Sequence, residues 1–164
     1  MSLQSIGVVE LVSVGSQPDI LAKIDTGADS SSVWASNITV DKNGVLKFSL
    51  FGEDSPYYNG KVYKRKDFSA TKVRSSNGQT QIRYKTHIVI TIAGRRIKAF
   101  VTLADRSKNK YAVLVGRRTI AGKFLVDTKK RHDTIGAIPR NINLNEKLKE
   151  NPYEFHKKYI EKEF

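Results

Sequence analysis

The stretch AKIDTGADSSSVWA, Ala22 to Ala35, runs from a strand-like lead-in through Asp25-Thr26-Gly27 into small and polar residues that end at Trp34. An aspartate that closes a strand and is followed at once by Thr-Gly lies in a tight turn. Gly27 permits backbone conformations that other residues resist, and its amide can approach the carboxylate closely. Thr26 offers a hydroxyl able to brace the turn, and the small Ala28 leaves room for a ligand beside Asp25. On these residues alone two readings stay open. The turn is either an Asx-type link between two strands or a carboxylate set out for chemistry.

The chain around this turn is built of strands. In QIRYKTHIVITIAG, Ile82, Tyr84, Thr86, Ile88, Ile90 and Ile92 fall on one face, with Gln81, Arg83, Lys85, His87 and Thr91 on the other. That period of two predicts a long, half-buried strand. RRIKAFVTLAD repeats the pattern with Ile97, Ala99, Val101 and Leu103, and Ala93-Gly94 supplies the turn between them. Asn43-Gly44, Asn59-Gly60 and Asn77-Gly78 are each the dipeptide favoured in tight hairpins, where both central residues take positive φ. Helix is expected only late: a short one from Arg117 to Ala121, closed by Gly122 and followed by a buried strand, Phe124 to Val126. A C-terminal helix should start with Asn151 as N-cap and Pro152 at its first position. Tyr153, His156, Ile160 and Phe164 then share one face, which is expected to pack on the barrel or on a second subunit. The expectation is an all-β, closed barrel domain over residues 1–140 and a helical extension over 141–164.

Composition limits what such a barrel can do. With 164 residues there is enough chain for one domain with a real core. No apolar run is long enough to span a membrane. MSLQSIGVVELVSV lacks the basic segment and apolar block of a signal peptide. The chain has no cysteine, which removes disulfides, thiolate metal sites and cysteine nucleophiles, and a cytoplasmic location fits. The net charge of +13 is uneven. Residues 1–60 are acidic, residues 61–144 carry 21 Lys and Arg against four acids, and the last twenty residues balance. The middle of the chain therefore projects a positive field toward a partner or an acidic substrate.

Far beyond Asp25 comes AVLVGRR, where Val113, Leu114 and Val115 run into Gly116 and Arg117. A strand ending in Asp-Thr-Gly-Ala together with a later apolar-apolar-Gly-Arg leading to a short helix resembles the two-part signature of retropepsins, the single-domain aspartic proteases. The resemblance implies a retropepsin-like barrel with Asp25, Thr26 and Gly27 as the catalytic turn. It also implies that Ala28 and Asp29 face substrate, and that the Gly116 strand crosses behind to support the turn, with Arg117 paired to Asp29. Asp105-Arg106-Ser107, Gly116-Arg117-Arg118 and the run from Gly122 to Asp127 further resemble the bacterial family labelled ATP-dependent zinc protease. The likeness covers about residues 6 to 130.

That label does not fit the residues. No Gly-rich loop ends in Gly-Lys-Ser/Thr, as a phosphate loop requires. A catalytic zinc needs about three protein ligands, and the chain has His87, His132 and His156 without His-Glu-x-x-His spacing, His132 lying in the basic KKRHD. No cofactor or metal is expected.

An aspartic protease needs two carboxylates, and this chain has one Asp-Thr-Gly: Asp41, Asp54, Asp105, Asp127 and Asp133 all lack the following Thr-Gly or Ser-Gly. The second carboxylate is therefore expected from Asp25 of another copy in a homodimer. The polar, aromatic LFGEDSPYYNGKVYKR, Leu50 to Arg65, is the candidate flap over substrate. A cleft bordered by Lys64, Arg65, Lys66, Lys72 and Arg74 would favour acidic peptides. Association of this bacterial family with ATP-grasp glutamate ligases points the same way, to glutamate-extended peptides. Two other classes compete. An inert binding domain keeps the fold without peptidase activity. A nucleic-acid module would use Tyr63, Phe68 and Tyr84 among their basic neighbours.

Overall fold

The computed structural model describes residues 2–74, 77–132 and 144–159. They fall into two compact units, Met1–His132 and Asp133–Phe164. The first contains strands β1 (Gln4–Ile6), β2 (Val9–Val14), β3 (Gln17–Ile24), β4 (Ser31–Val40), β5 (Leu46–Leu50), β6 (Val62–Arg65), β7 (Phe68–Arg74), β8 (Thr80–Ile92), β9 (Arg95–Ala104), β10 (Val113–Val115) and β11 (Phe124–Val126). A single-turn helix α1 (Arg117–Ile120) lies between the last two.

Strand pairing closes a barrel. Adjacent strands run β10-β3-β2-β8-β9-β4, and β10 pairs β4 as well as β3, so six strands form a ring. Alternation along those strands fills the interior: Val12, Val14, Ile20, Ala22, Val33, Ile88, Ile90, Ile92, Ala99, Val101 and Val113 are all buried. Each large aliphatic side chain removed from water contributes roughly 1.5–3 kcal/mol. The barrel belongs to the retropepsin-like type expected from the sequence.

Two details of the strand reading are refined. The alternating face of β8 is buried from Thr86 onward, but Ile82 is 73 % exposed. The pairing explains why: β9 accompanies β8 only from Lys85 to Ile92, whereas residues 80–84 pair with β7 alone. The β7–β8 hairpin therefore projects past the barrel wall. The turns also differ. Ala93 and Gly94 both have positive φ, the two-residue hairpin turn. At Asn43-Gly44, Asn59-Gly60 and Asn77-Gly78 only the glycine does. At the first of these the Asp41 carboxylate accepts from the Asn43 and Val45 amides, which carries the chain through a longer turn. Asn59-Gly60 closes no tight hairpin. It lies in the irregular link before β6.

In the second unit, α3 (Pro152–Tyr159) starts where expected, with the Asn151 side chain accepting from the Glu154 amide. A further helix, α2 (Leu144–Glu150), precedes it and was not anticipated. Tyr153 and His156 are exposed. Ile160 and Phe164 lie outside the described residues. Among the described residues no helix is long and apolar enough to cross a membrane.

Candidate active site

Strand β3 ends at Ile24 because the chain must turn there. The Ile24 amide is held by the Val8 carbonyl and the Asp25 amide by the Val115 carbonyl, both at 2.8 Å. The Asp25 carboxylate then accepts from the Gly27 amide at 3.0 Å, and the Ala28 amide returns to the Asp25 carbonyl at 3.2 Å. The Asx turn and the presented carboxylate are thus the same structure. Asp25 is half-buried, while Thr26, Gly27 and Asp29 are exposed. The Thr26 hydroxyl does not brace the turn: among the described residues it has no partner, and its carbonyl instead accepts from Arg117 Nη1 at 3.3 Å.

The support expected from the second motif is present. β10 runs parallel to β3 in the register Val113↔Ala22, Leu114↔Lys23 and Val115↔Ile24, and antiparallel to β4 on its other side. It delivers Gly116 directly behind the turn. A Cβ there would lie 2.5 Å from the Ser30 carbonyl oxygen and 2.9 Å from that of Ala28, so only glycine fits. The Gly116 amide donates to Ser31 Oγ at 3.0 Å, which also shares a 2.6 Å bond with Thr119 Oγ1. The Arg117 and Arg118 amides donate to the Ala28 and Asp29 carbonyls. The Arg117 side chain pairs with the Asp29 carboxylate. Gly116, Arg117, Asp25, Thr26, Gly27, Ala28 and Asp29 are therefore brought together.

A cleft of about 610 Å³ opens on this turn, lined by Asp25, Gly27, Ala28 and Asp29. Thr71 to Arg74 of β7 and Arg83 of β8 line it as well. The hairpin that lines the cleft is β7–β8, and the expected flap segment, Leu50 to Arg65, contributes no lining residue. That segment is anchored: Leu50, Phe51 and Tyr63 are in the core, and Tyr57 and Tyr58 pack against it. Of the cations expected at the border, Lys72 and Arg74 line the cleft. Lys64, Arg65 and Lys66 do not, because they leave with β6 or follow it.

Of the lining residues that the sequence does not place at the site, three stand out by charge or by an unmet hydroxyl. Arg83 projects from the polar side of the alternating strand. Arg106 belongs to Asp-Arg-Ser, and its turn is fixed by the Asp105 carboxylate, which accepts from the Ser107 amide at 2.9 Å. That Ser107 hydrogen bonding, with Lys108 nearby, holds the Asp105 carboxyl below its usual range. Arg106 Nε donates to the Tyr111 carbonyl at 3.0 Å. Burial pulls both guanidiniums down from their usual range, and for Arg106 the neighbouring Arg83 charge adds to it. Both remain cationic, since guanidinium stays protonated in proteins. The third is Ser32, a lining residue whose Oγ is itself buried and has no hydrogen-bond partner.

The donor set for zinc is not assembled. His132 Nε2 lies 3.0 Å from the Glu10 carboxylate, His87 sits edge-on to Phe100, and among the described residues no three metal-ligating side chains cluster.

Comparison with known proteins places this geometry. A family model described as RimB-like, retropepsin-like aspartic endopeptidase RimB, matches residues 6–135. A curated protein named probable alpha-L-glutamate ligase from Shewanella pealeana is 34 % identical over 114 residues, covering 67 % of this chain and 25 % of its own length. One of the same name from Parasynechococcus marenigrum is 29 % identical over 119 residues, covering 70 % and 25 %. The chain thus spans about a quarter of the length of these curated relatives. A crystal structure of a Legionella pneumophila protein described as of unknown function superposes with a TM-score of 0.64. It is 26 % identical, and the match covers 79 % of this chain and 97 % of that one.

Proposed function

This chain belongs to the RimB-like family of retropepsin-like aspartic endopeptidases, and on that premise we propose that it hydrolyses peptide bonds in acidic polypeptides as a two-fold homodimer. The observation that carries this reading is the Asp25 turn, which lines one cleft together with Lys72, Arg74 and Arg83.

Each copy supplies one Asp25. Two carboxylates brought within a few ångströms cannot both stay ionised, so the pair shares one proton. The ionised member takes a proton from a water molecule as the water oxygen bonds to the scissile carbonyl carbon. The protonated member gives its proton to the carbonyl oxygen, and a gem-diol forms. The carboxyl group that took the water proton gives it to the amide nitrogen while the other carboxylate takes a proton from a gem-diol hydroxyl. The carbonyl re-forms, the carbon–nitrogen bond breaks, and an amine and a carboxylic acid leave. The two carboxyl groups return to sharing one proton.

Several features support a two-fold partner. The turn is exposed on its Thr26 and Gly27 side, and the Thr26 hydroxyl is unpartnered among the described residues. β1 and β11 form a separate two-stranded parallel sheet; Leu3, just before β1, and Leu125 within β11 are 44 % and 57 % exposed. Unpaired strand edges with exposed leucines suit association with a second copy. The acidic substrate class is supported by Arg106 joining the cationic wall. The relatives named as glutamate ligases add to this, since a domain like this one accompanies an activity that handles glutamate.

The test is mass-spectrometric digestion of a mixed peptide library by wild type and Asp25→Asn in parallel, from about pH 4 to about pH 7, with sedimentation to give the oligomeric state. Cleavage enriched at acidic peptides, lost in Asp25→Asn and tracking the dimer, is the expected result. Equal cleavage by both proteins, or activity from a monomer, overturns the mechanism. A folded dimer that cleaves nothing leaves a binding domain on a peptidase fold.

A further inference from the structure

A second cationic surface lies beside the cleft. On the outward side of β9, Lys98 and Phe100 are exposed, while Ile97, Ala99 and Val101 between and beyond them point into the core. Lys85 on β8, Arg118 on α1 and Lys123 after it approach the same place. Together they line a depression of about 110 Å³. A wider hollow of about 400 Å³ continues from it, sharing Lys85, Phe100 and Arg118 and reaching Asp67. Asp67 is the one carboxylate among the described lining residues, against four cations.

None of the four cations has an ion pair among the described residues, and Asp67 alone of the described lining residues opposes their charge. Phe100, 57 % exposed, lines both hollows with them and stands directly across the strands from His87. His87 packs edge-on beneath Phe100 with ring centroids 6.4 Å apart. It is held below the usual histidine range by burial first, then by the charges of Lys98 and Arg65, with Asp67 opposing. The local field is positive, and the surface is ready for an anion.

The placement says which anion. Ser30, close after Asp25 in the chain, lines both the catalytic cleft and the smaller depression. A polypeptide held at Asp25 and leaving past Ser30 crosses this surface next. We propose that it is an exosite, which docks an acidic segment of the polypeptide substrate several residues away from the scissile bond. Lysines and Arg118 meet carboxylates there, and Phe100 takes an aliphatic stem. The proposal rests on the peptidase reading above. A single-stranded nucleic acid fits less well: its bases stack on successive open aromatic faces, and beside Phe100 the described lining offers Phe68, half-buried and set edge-on against Tyr84.

The experiment measures binding directly, in the non-cleaving Asp25→Asn protein, by fluorescence anisotropy. The probes are glutamate-rich peptides of about six and about sixteen residues, the longer spanning roughly 50 Å when extended, and a single-stranded RNA of similar charge. Lys98→Glu with Phe100→Ala is added, both at exposed positions outside the cleft, with thermal melting to verify the fold. The expected result is that the long peptide binds about tenfold tighter than the short one. The double substitution should erase that advantage and leave the short peptide unchanged. Equal affinity for both lengths, or an advantage that survives the double substitution, overturns the exosite. If the substitution weakens RNA and not the long peptide, the surface is a nucleic-acid site and the proposal falls. Failure of wild type to cleave, with the length effect intact, would sink the peptidase reading while the acidic docking surface stands.

Discussion

Arg117 and Asp29, 88 positions apart in the chain, meet beside the Asp25 turn, and the same guanidinium reaches the Thr26 carbonyl through Nη1. One side chain thus ties both ends of the loop that carries the carboxylate. The pair is 53 % and 63 % exposed, so solvent screens it and its contribution to folding is at most about 1 kcal/mol. Its weight falls instead on geometry. Arg117→Lys keeps the charge and loses the planar fork that holds two acceptors at once. The expected outcome is peptidase activity down at least about tenfold, for about 1.4 kcal/mol of lost transition-state stabilisation. Urea unfolding should change little. A loss of stability that matches the loss of activity would make the pair an ordinary structural bridge.

Ser31 and Ser32 are neighbours with opposite hydrogen-bonding circumstances. Ser31 Oγ serves the Gly116 amide and Thr119 Oγ1, so Ser31→Ala strands two buried polar groups. That should cost about 1–3 kcal/mol in chemical denaturation. Ser32 Oγ is buried with no partner, and Ser32→Ala removes an unmet need. It should be neutral or stabilising. Equal destabilisation by the two alanines would contradict the assignment of partners.

How much of this was legible in the sequence varies with the kind of contact. The barrel was, because period-two runs such as Thr86 to Ile92 report directly which side of a strand is buried. The placing of Gly116 behind the Asp25 turn was legible only through the resemblance of the two motifs to the retropepsin signature; the close approach of the Ser30 and Ala28 carbonyls supplies its steric reason. The hairpin that lines the cleft was not. Gly, Tyr and polar content pointed to Leu50–Arg65, but composition does not distinguish aromatics that anchor a loop from those that tip one. Tyr63 stacks on Phe48 in the core. What marks β7–β8 is register, the stretch from Thr80 to Tyr84 by which β8 outruns β9, and register is a property of pairing. Arg106 escaped for a similar reason. Its approach to the cleft depends on the Asp105–Ser107 turn and the Tyr111 carbonyl, both set by the folded loop.

The cationic wall makes acidic selectivity measurable. Arg74 lines the cleft from β7 and is exposed, so Arg74→Glu perturbs charge without opening the core. For a glutamate-rich peptide the expected change is a rise in KM of about tenfold, with little effect on an uncharged peptide. Wild-type KM for the acidic peptide should also rise with salt, as the Debye length shrinks to about 8 Å at physiological ionic strength. Indifference of the acidic peptide to both changes would remove the electrostatic basis of the substrate assignment.

His87 supplies a pH dependence whose sign can be worked out. Burial disfavours its charged form, and Lys98 and Arg65 add to that against the opposing Asp67, so the folded protein binds this proton more weakly than the unfolded chain. Above the ordinary histidine value of about 6.5 both states are neutral, and the contribution to stability is fully present. As pH falls through that value the unfolded chain takes up its proton first. Stability is lost until pH passes the lower folded value. In His87→Gln the side chain stays polar but no longer titrates, and this part of the decline disappears. Urea midpoints of the two proteins should therefore run parallel above about pH 7 and diverge below about 6.5, with wild type falling faster. Parallel curves across the whole range would mean that His87 binds its proton equally well in both states.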